Sequence, residues 1–341
     1  MKYKILFVLS IFLVTTGVAQ LKYPETKRVE QKDDYFGTIV SDPYRWLEDD
    51  NSAETKEWVR EENAVTQAYF STIPYRDEIK KELEKLWNYP RYTSPFKRGD
   101  YYYFYKNDGL QNQSVLYRQK GLTGTPEVFL DPNKMSADGT AAIGTPSFSE
   151  NDKYAVYLEA QSGSDWQVGH VMRVADKKIL DEEIGYIKFS GTSWNEDDGF
   201  YYSRYPPPDE KNKLTTQNRF HKVYYHKIGT PQSEDQLIYE DTDHPLRIVG
   251  ATVSEDGRYL VLTLSEGTSG NELWVKDLKS GQKDFSLLIK GFDGESDFVD
   301  NVDKMILIKT NIDAPNYRIV SIDPQHPEKE NWKTVVPERK E

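Results

Sequence analysis

The chain has 341 residues, a formal charge of -12 at pH 7, 13% aromatic residues and no cysteine. That length holds one large domain or two ordinary ones, and the aromatic content supplies a core, which excludes a disordered chain. Acidity without a clustered Lys/Arg run argues against a nucleic-acid partner, and the missing cysteine removes disulfides, thiolate chemistry, Cys-ligated zinc and a lipid anchor on cysteine.

In chain order, Lys2 and Lys4 precede the apolar run Ile5 to Val14, and Gly17-Val18-Ala19 sets small residues where a leader is cut. Residues 1–19 are therefore expected to be a secretory signal peptide, too short and weakly flanked for a membrane span. A periplasmic or secreted location follows, with no membrane association after cleavage. Residues 20–89 form the next expected unit. Its first part is mixed and polar, with Tyr35-Phe36-Gly37 suggesting extended structure or a short hairpin. Ser41 to Phe70 reads as an arm entering a capped helix: Pro43 holds Asp42 extended, and Asn51 with Glu54 three residues on has the form of a capping box. Trp58, Val65 and Tyr69 recur near one face, and Ile73-Pro74 ends the helix. A second helix, about Tyr75 to Trp87, carries Ile79, Leu83, Leu86 and Trp87 on one stripe. The arm holds Tyr44, Trp46 and Leu47, more than so short a segment buries against itself, so it is expected to clamp onto a larger body.

Near Asn88 to Tyr92 the hydrophobic period changes from helical to alternating, which sets a domain boundary. Residues 90–341 are expected to be mainly β. Short strands are predicted at 101–105, 114–118, 154–159, 168–174, 200–204, 223–226, 259–264, 272–277, 305–309 and 317–322, separated by Gly, Asp and Asn turns. A weak repeat accompanies them. Phe148 to Tyr154, Trp194 to Phe200 and Val253 to Tyr259 share an apolar, polar, acidic, turn, aromatic order, and Phe96 to Tyr101 begins the series. The starts lie 52, 46 and 59 residues apart, near the roughly 40–50 of a four-stranded propeller blade. The acidic residues of these turns are assigned to turn chemistry, since no copy spells a complete calcium loop.

No Gly-x-Ser-x-Gly elbow occurs in the chain. His170, His221, His226, His244 and His326 are scattered without zinc spacing or a nucleophile beside them, so they read as ordinary surface or core histidines.

Asp42-Pro43-Tyr44-Arg45-Trp46-Leu47-Glu48-Asp49 followed by Trp58, Asn63 and Tyr69 resembles the N-terminal segment of the prolyl oligopeptidase family. Gly109 to Tyr117, Val128 to Asn133, Gly163-Ser164-Asp165-Trp166, Tyr224-Tyr225-His226 and Pro315 to Arg318 resemble that family's propeller, in the family's order. The resemblance implies a serine endopeptidase that cleaves short proline-containing peptides, with an α/β-hydrolase domain capped by a seven-bladed, gating β-propeller. The 252 residues from Pro90 to Glu341 hold about five blades, so the propeller is expected to be truncated. The resemblance places the catalytic Ser, Asp and His in a C-terminal hydrolase domain beyond this sequence. It implies no catalytic residue here, no cofactor and no metal, and makes that missing domain the partner of residues 20–89. Four propeller positions carry over as substrate-binding residues. Phe189 matches an aromatic of the subsite for the residue two before the proline, and Ile248 aligns with another apolar position there. Asp165 matches an acidic residue near the chamber, and Thr268 aligns where some members carry a cysteine. A free-standing propeller binding peptide or glycan without catalysis is the alternative; a five-bladed glycosidase would need paired carboxylates in one funnel.

Overall fold

The computed structural model describes residues 21–209 and 216–339, so the leader expected over residues 1–19 lies outside them. The chain divides into two compact units between Trp87 and Asn88. No helix among the described residues is long and apolar enough to cross a membrane.

In the first unit, β1 (Lys32–Tyr35) and β2 (Thr38–Ser41) form a hairpin. Its two-residue turn has Phe36 at φ 55° and Gly37 at φ 91°, the left-handed pair whose twist matches that of paired strands. Arg45 pairs with Asp33 and with Asp42, the latter at 2.7 Å, and so ties the arm to β1. The Trp46 indole N–H donates to the Lys27 carbonyl at 2.9 Å, and the Thr55 hydroxyl donates to the Trp46 carbonyl at 3.2 Å. The arm is thus anchored inside its own unit. Trp46 and Leu47 are half-buried there, which corrects the expectation that they depend wholly on another body; Tyr44 stays exposed.

Helix α1 (Ala53–Ser71) starts one residue later than the sequence suggests. Asp49 accepts the N–H groups of Asn51 and Ser52 in the preceding turn, and Ser52 becomes the cap, its Oγ accepting the Thr55 N–H at 3.1 Å. Glu54 instead pairs with Lys27 at 2.8 Å. Helix α2 (Arg76–Trp87) buries no residue, and its stripe of Ile79, Leu83, Leu86 and Trp87 is exposed.

The second unit is built of antiparallel sheets. β3 (Arg91–Tyr92), β4 (Phe96–Arg98), β5 (Tyr101–Asn107), β6 (Val115–Lys120) and β7 (Glu127–Leu130) form the first. The second has eight strands: β8 (Ala142–Ile143), β9 (Ser147–Phe148), β10 (Tyr154–Ala160), β11 (Gln167–Arg173), β12 (Lys178–Asn195), β13 (Gly199–Arg204), β14 (Lys222–Lys227) and β15 (Gln236–Tyr239). It is two halves joined by β12, which pairs with β11 up to Ile187 and with β13 at Ile187 and again from Thr192, across a break in register. β16 (Ile248–Val253), β17 (Tyr259–Ser265), β18 (Glu272–Asp277) and β19 (Ser286–Ile289) form the third sheet. β20 (Ser296–Val302), β21 (Met305–Thr310), β22 (Arg318–Ile322) and β23 (Lys333–Val336) form the fourth.

These sheets stack because their central strands are apolar on both faces. In β17, Tyr259 and Val261 enter one core with Ile306 and Val320 of the last sheet. The intervening Leu260, Leu262 and Leu264 enter another with Tyr201 and Val223. Period-two alternation thus sends successive side chains to opposite layers. β13 is divided likewise, Phe200 and Tyr202 packing with Val156 and Ile184 while Tyr201 faces the other way. A fourth layer joins Tyr103 and Phe129 of the first sheet to Phe148, Tyr157 and Met172. Each such buried side chain contributes about 1.5–3 kcal/mol of hydrophobic free energy.

The repeated acidic turns join the first two strands of successive arrays and also tie neighbours together. Asp197 accepts the Asn151 N–H at 3.1 Å and the Asn151 side-chain amide at 3.0 Å. Asp300 accepts the Glu255 N–H at 3.1 Å, and the Asn301 amide donates to Asp256 at 2.9 Å. Asp197 and Asp256 of these turns are thus occupied by hydrogen bonds to the neighbouring array.

Candidate functional site

Successive antiparallel strands reverse direction, so the acidic turns lie at one end of the sheets and the β10–β11, β13–β14 and β17–β18 connections at the other. The bend inside β12 and the start of β16 share this second end. All four residues predicted for substrate contact lie there: Asp165 between β10 and β11, Phe189 in the β12 bend, Ile248 opening β16, and Thr268 between β17 and β18.

The structure brings Asp165 and Phe189 together around Lys188. The Lys188 Nζ is 5.1 Å from the centroids of both the Trp166 and Phe189 rings and 3.8 Å from Asp165 Oδ2. The Lys188 side chain is only 13% exposed, whereas that of Asp165 is 66% exposed. Local structure fixes both partners. The Ser164 hydroxyl accepts the Trp166 N–H at 3.1 Å and sets the turn bearing Asp165. Across the bend, the Ser190 hydroxyl accepts the Ser203 N–H at 2.8 Å and donates to the Gly191 carbonyl at 2.7 Å, filling the gap where β12 and β13 leave register. Phe189 sits at φ 54°, a left-handed conformation unusual for a bulky residue, and the residue is 52% exposed.

From Trp166 the surface continues inward. The Trp166 ring meets Tyr205 edge-on at 6.2 Å, and Tyr205 stacks on His221 at 4.4 Å. His221 Nδ1 accepts the Val249 N–H at 3.2 Å, which links the cluster to the residue after Ile248. Burial pushes His221 down to about 4, with the Lys188 main chain acting weakly the other way, so the ring is neutral at physiological pH. Ile248 is half-buried, and Arg247 before it borders a cavity of about 380 Å³ with Arg219, Leu246 and Glu266. Thr268 is exposed and makes no hydrogen bond to this cluster among the described residues. The face therefore offers aromatic surface, one shielded cation and one exposed carboxylate, a set suited to holding a peptide.

His226 lies elsewhere, in β14, and is fully buried. Its Nδ1 is 2.7 Å from Asp235 and its Nε2 3.2 Å from Glu182. Burial opposes charge on this ring, yet the two carboxylates outweigh it and raise His226 to about 9. It is an ion-paired core residue.

Sequence reasoning missed Lys188, Tyr205 and His221 as members of the candidate face. Trp166 belongs to a motif of the family resemblance and Lys188 adjoins Phe189, but no spacing rule joins separate connections. Tyr205 and His221 carried no signal beyond their residue types.

Residues 24–341 match the family model described as the N-terminal β-propeller domain of prolyl oligopeptidase. The prolyl endopeptidase of Elizabethkingia meningoseptica is 48% identical over 321 residues, covering 94% of this chain and 45% of that protein. That of Elizabethkingia miricola is 46% identical over 346 residues, covering 100% of this chain and 49% of that protein. Prolyl oligopeptidase B from Galerina marginata, solved with a 25mer macrocyclization substrate, superposes with a TM-score of 0.81 at 31% identity over 94% of this chain and 48% of its own. The chain spans about half the length of the curated relatives it matches. A match running from residue 24 to residue 341, over sheets stacked as in the solved relative, means that the chain belongs to the prolyl oligopeptidase family and carries its N-terminal β-propeller domain.

Proposed function

We propose that this chain is the N-terminal segment and gating propeller of an exported prolyl oligopeptidase, a serine endopeptidase that cleaves short peptides after proline. The observation that carries the reading is the 48% identity to a prolyl endopeptidase over 94% of the chain. In this reading the nucleophile, its base and the orienting carboxylate come from a hydrolase domain like the half of the relatives that the chain does not cover. The propeller contributes five blades, counting the eight-stranded sheet as two, and presents the face around Phe189 to the peptide. The apolar stripe of α2 takes part in docking the hydrolase domain. The leader over residues 1–19 directs export to the periplasm or beyond.

The test joins residues 20–341 to the C-terminal half of the Elizabethkingia meningoseptica enzyme. The chimera is expected to hydrolyse a succinyl-Gly-Pro chromogenic peptide, and residues 20–341 alone to leave it intact, because the chain has no nucleophile elbow. A folded, monodisperse chimera that does not cut after proline overturns the reading, as does turnover by the chain alone when free of host peptidase.

A further inference from the structure

We infer that Lys188 is a positioning residue that sets the specificity of the Phe189 subsite, an inference that rests on the proposed peptide-binding role of this face. Phe189 cannot be held by burial, since about half of the residue is exposed. Two other devices fix its direction. One is the left-handed backbone at φ 54°, braced on its C-terminal side by the Ser190 hydroxyl on Ser203 N–H. The other is the ammonium of Lys188, equidistant at 5.1 Å from the Phe189 and Trp166 ring centroids.

A cation between two rings attracts the negative face of each, and the attraction strengthens when the cation is shielded from water. Lys188 fits that description: its side chain is 13% exposed, and its carboxylate partner, Asp165, is distant at 3.8 Å and open to solvent. The rings, more than the carboxylate, therefore define the place of the ammonium. Because Trp166 belongs to the β10–β11 connection and Phe189 to the β12 bend, Lys188 links the two segments just beyond their ladder pair Gln167 and Ile187. It does not touch the peptide; it holds the ring that does.

Lys188→Met preserves most of the apolar stem and removes the charge, while Lys188→Arg keeps a cation able to stack on both rings. In the chimera described above, two peptides are compared that carry phenylalanine or glycine two residues before the scissile proline. Lys188→Met is expected to lower kcat/KM about tenfold for the phenylalanine peptide, mainly through KM, and to change the glycine peptide by less than about twofold. Lys188→Arg should restore most of the loss. Trp166 emission, taken as the difference from Trp166→Phe, should shift in Lys188→Met and return in Lys188→Arg.

Phe189→Ala separates this inference from the reading beneath it. If Phe189→Ala weakens the phenylalanine peptide selectively while Lys188→Met affects both peptides equally or neither, the positioning role is overturned and the subsite stands. If Phe189→Ala is itself unselective, both the subsite and the role of Lys188 fall. Selective loss in both variants with rescue by arginine supports the inference.

Discussion

At the scale of single residues, two buried histidines are held in opposite protonation states by their surroundings. Burial works against charge on both, but Asp235 and Glu182 overcome it at His226 and raise it to about 9, whereas burial prevails at His221 and lowers it to about 4. The ordinary value is 6.5, so the stabilisation from His226 is complete below 6.5 and is lost as pH rises toward 9. That from His221 is present above 6.5 and is lost as pH falls toward 4. Thermal stability is therefore expected to peak near pH 6.5 and to decline on both sides within that window. Melting temperatures by circular dichroism at half-unit steps check this; a flat profile between pH 5 and 8.5 would show that neither ring is held as described.

At the scale of elements, β12 is the strand that matters most, because its bend both changes partner strands and lifts Phe189 into solvent. An L residue in the left-handed region costs roughly 1–2 kcal/mol, a cost glycine escapes. Phe189→Gly should thus be more stable than Phe189→Ala by about 1 kcal/mol, read as a difference in denaturant midpoint at equal slope. The reverse order would mean that the bend is not left-handed in solution. The predicted strands show a related pattern. The ten strands read from sequence correspond to the two central strands of each array, such as β5 with β6 and β17 with β18. Those are five to seven residues long and carry most of the buried core side chains. Edge strands such as β9 and β19, and β12 itself, were not legible, since short or half-exposed segments carry too little periodicity, and β12 is interrupted by Tyr186 and Phe189 at positive φ. The Ser52 cap was missed by one residue for a local reason, the prior turn closed by Asp49.

At the scale of the molecule, the outer sheets leave apolar surface uncovered among the described residues. Tyr103 of β5 faces the layer shared with the second sheet, so Phe104 faces away, stacked on Tyr117 at 5.8 Å and only half-buried. Val302 and Val335 of the last sheet and the stripe of α2 are exposed as well. Such patches and open strand edges invite association. Residues 20–341 alone are expected to self-associate at tens of micromolar, and Leu83→Glu to reduce the association with less than about 0.5 kcal/mol change in stability. Sedimentation at several concentrations checks this, and a monodisperse monomer with one cooperative melt would count against it.

The sequence by itself determined the β class of the larger unit, its central strands and its repeated turns. Each depends on neighbours in the chain: alternation fixes which side chains face a layer, and Asp, Asn and Gly fix where the chain reverses. Together with the family wording, it also singled out four residues that lie at the end of the sheets opposite the acidic turns. Only the tertiary structure decided that β12 passes through its bend from one array to the next, that the arm around Trp46 is anchored on its own unit, and that Lys188 lies against both Trp166 and Phe189. Those outcomes join residues from separate connections, whose meeting depends on how the sheets stack rather than on any local preference, so no spacing along the chain encodes them.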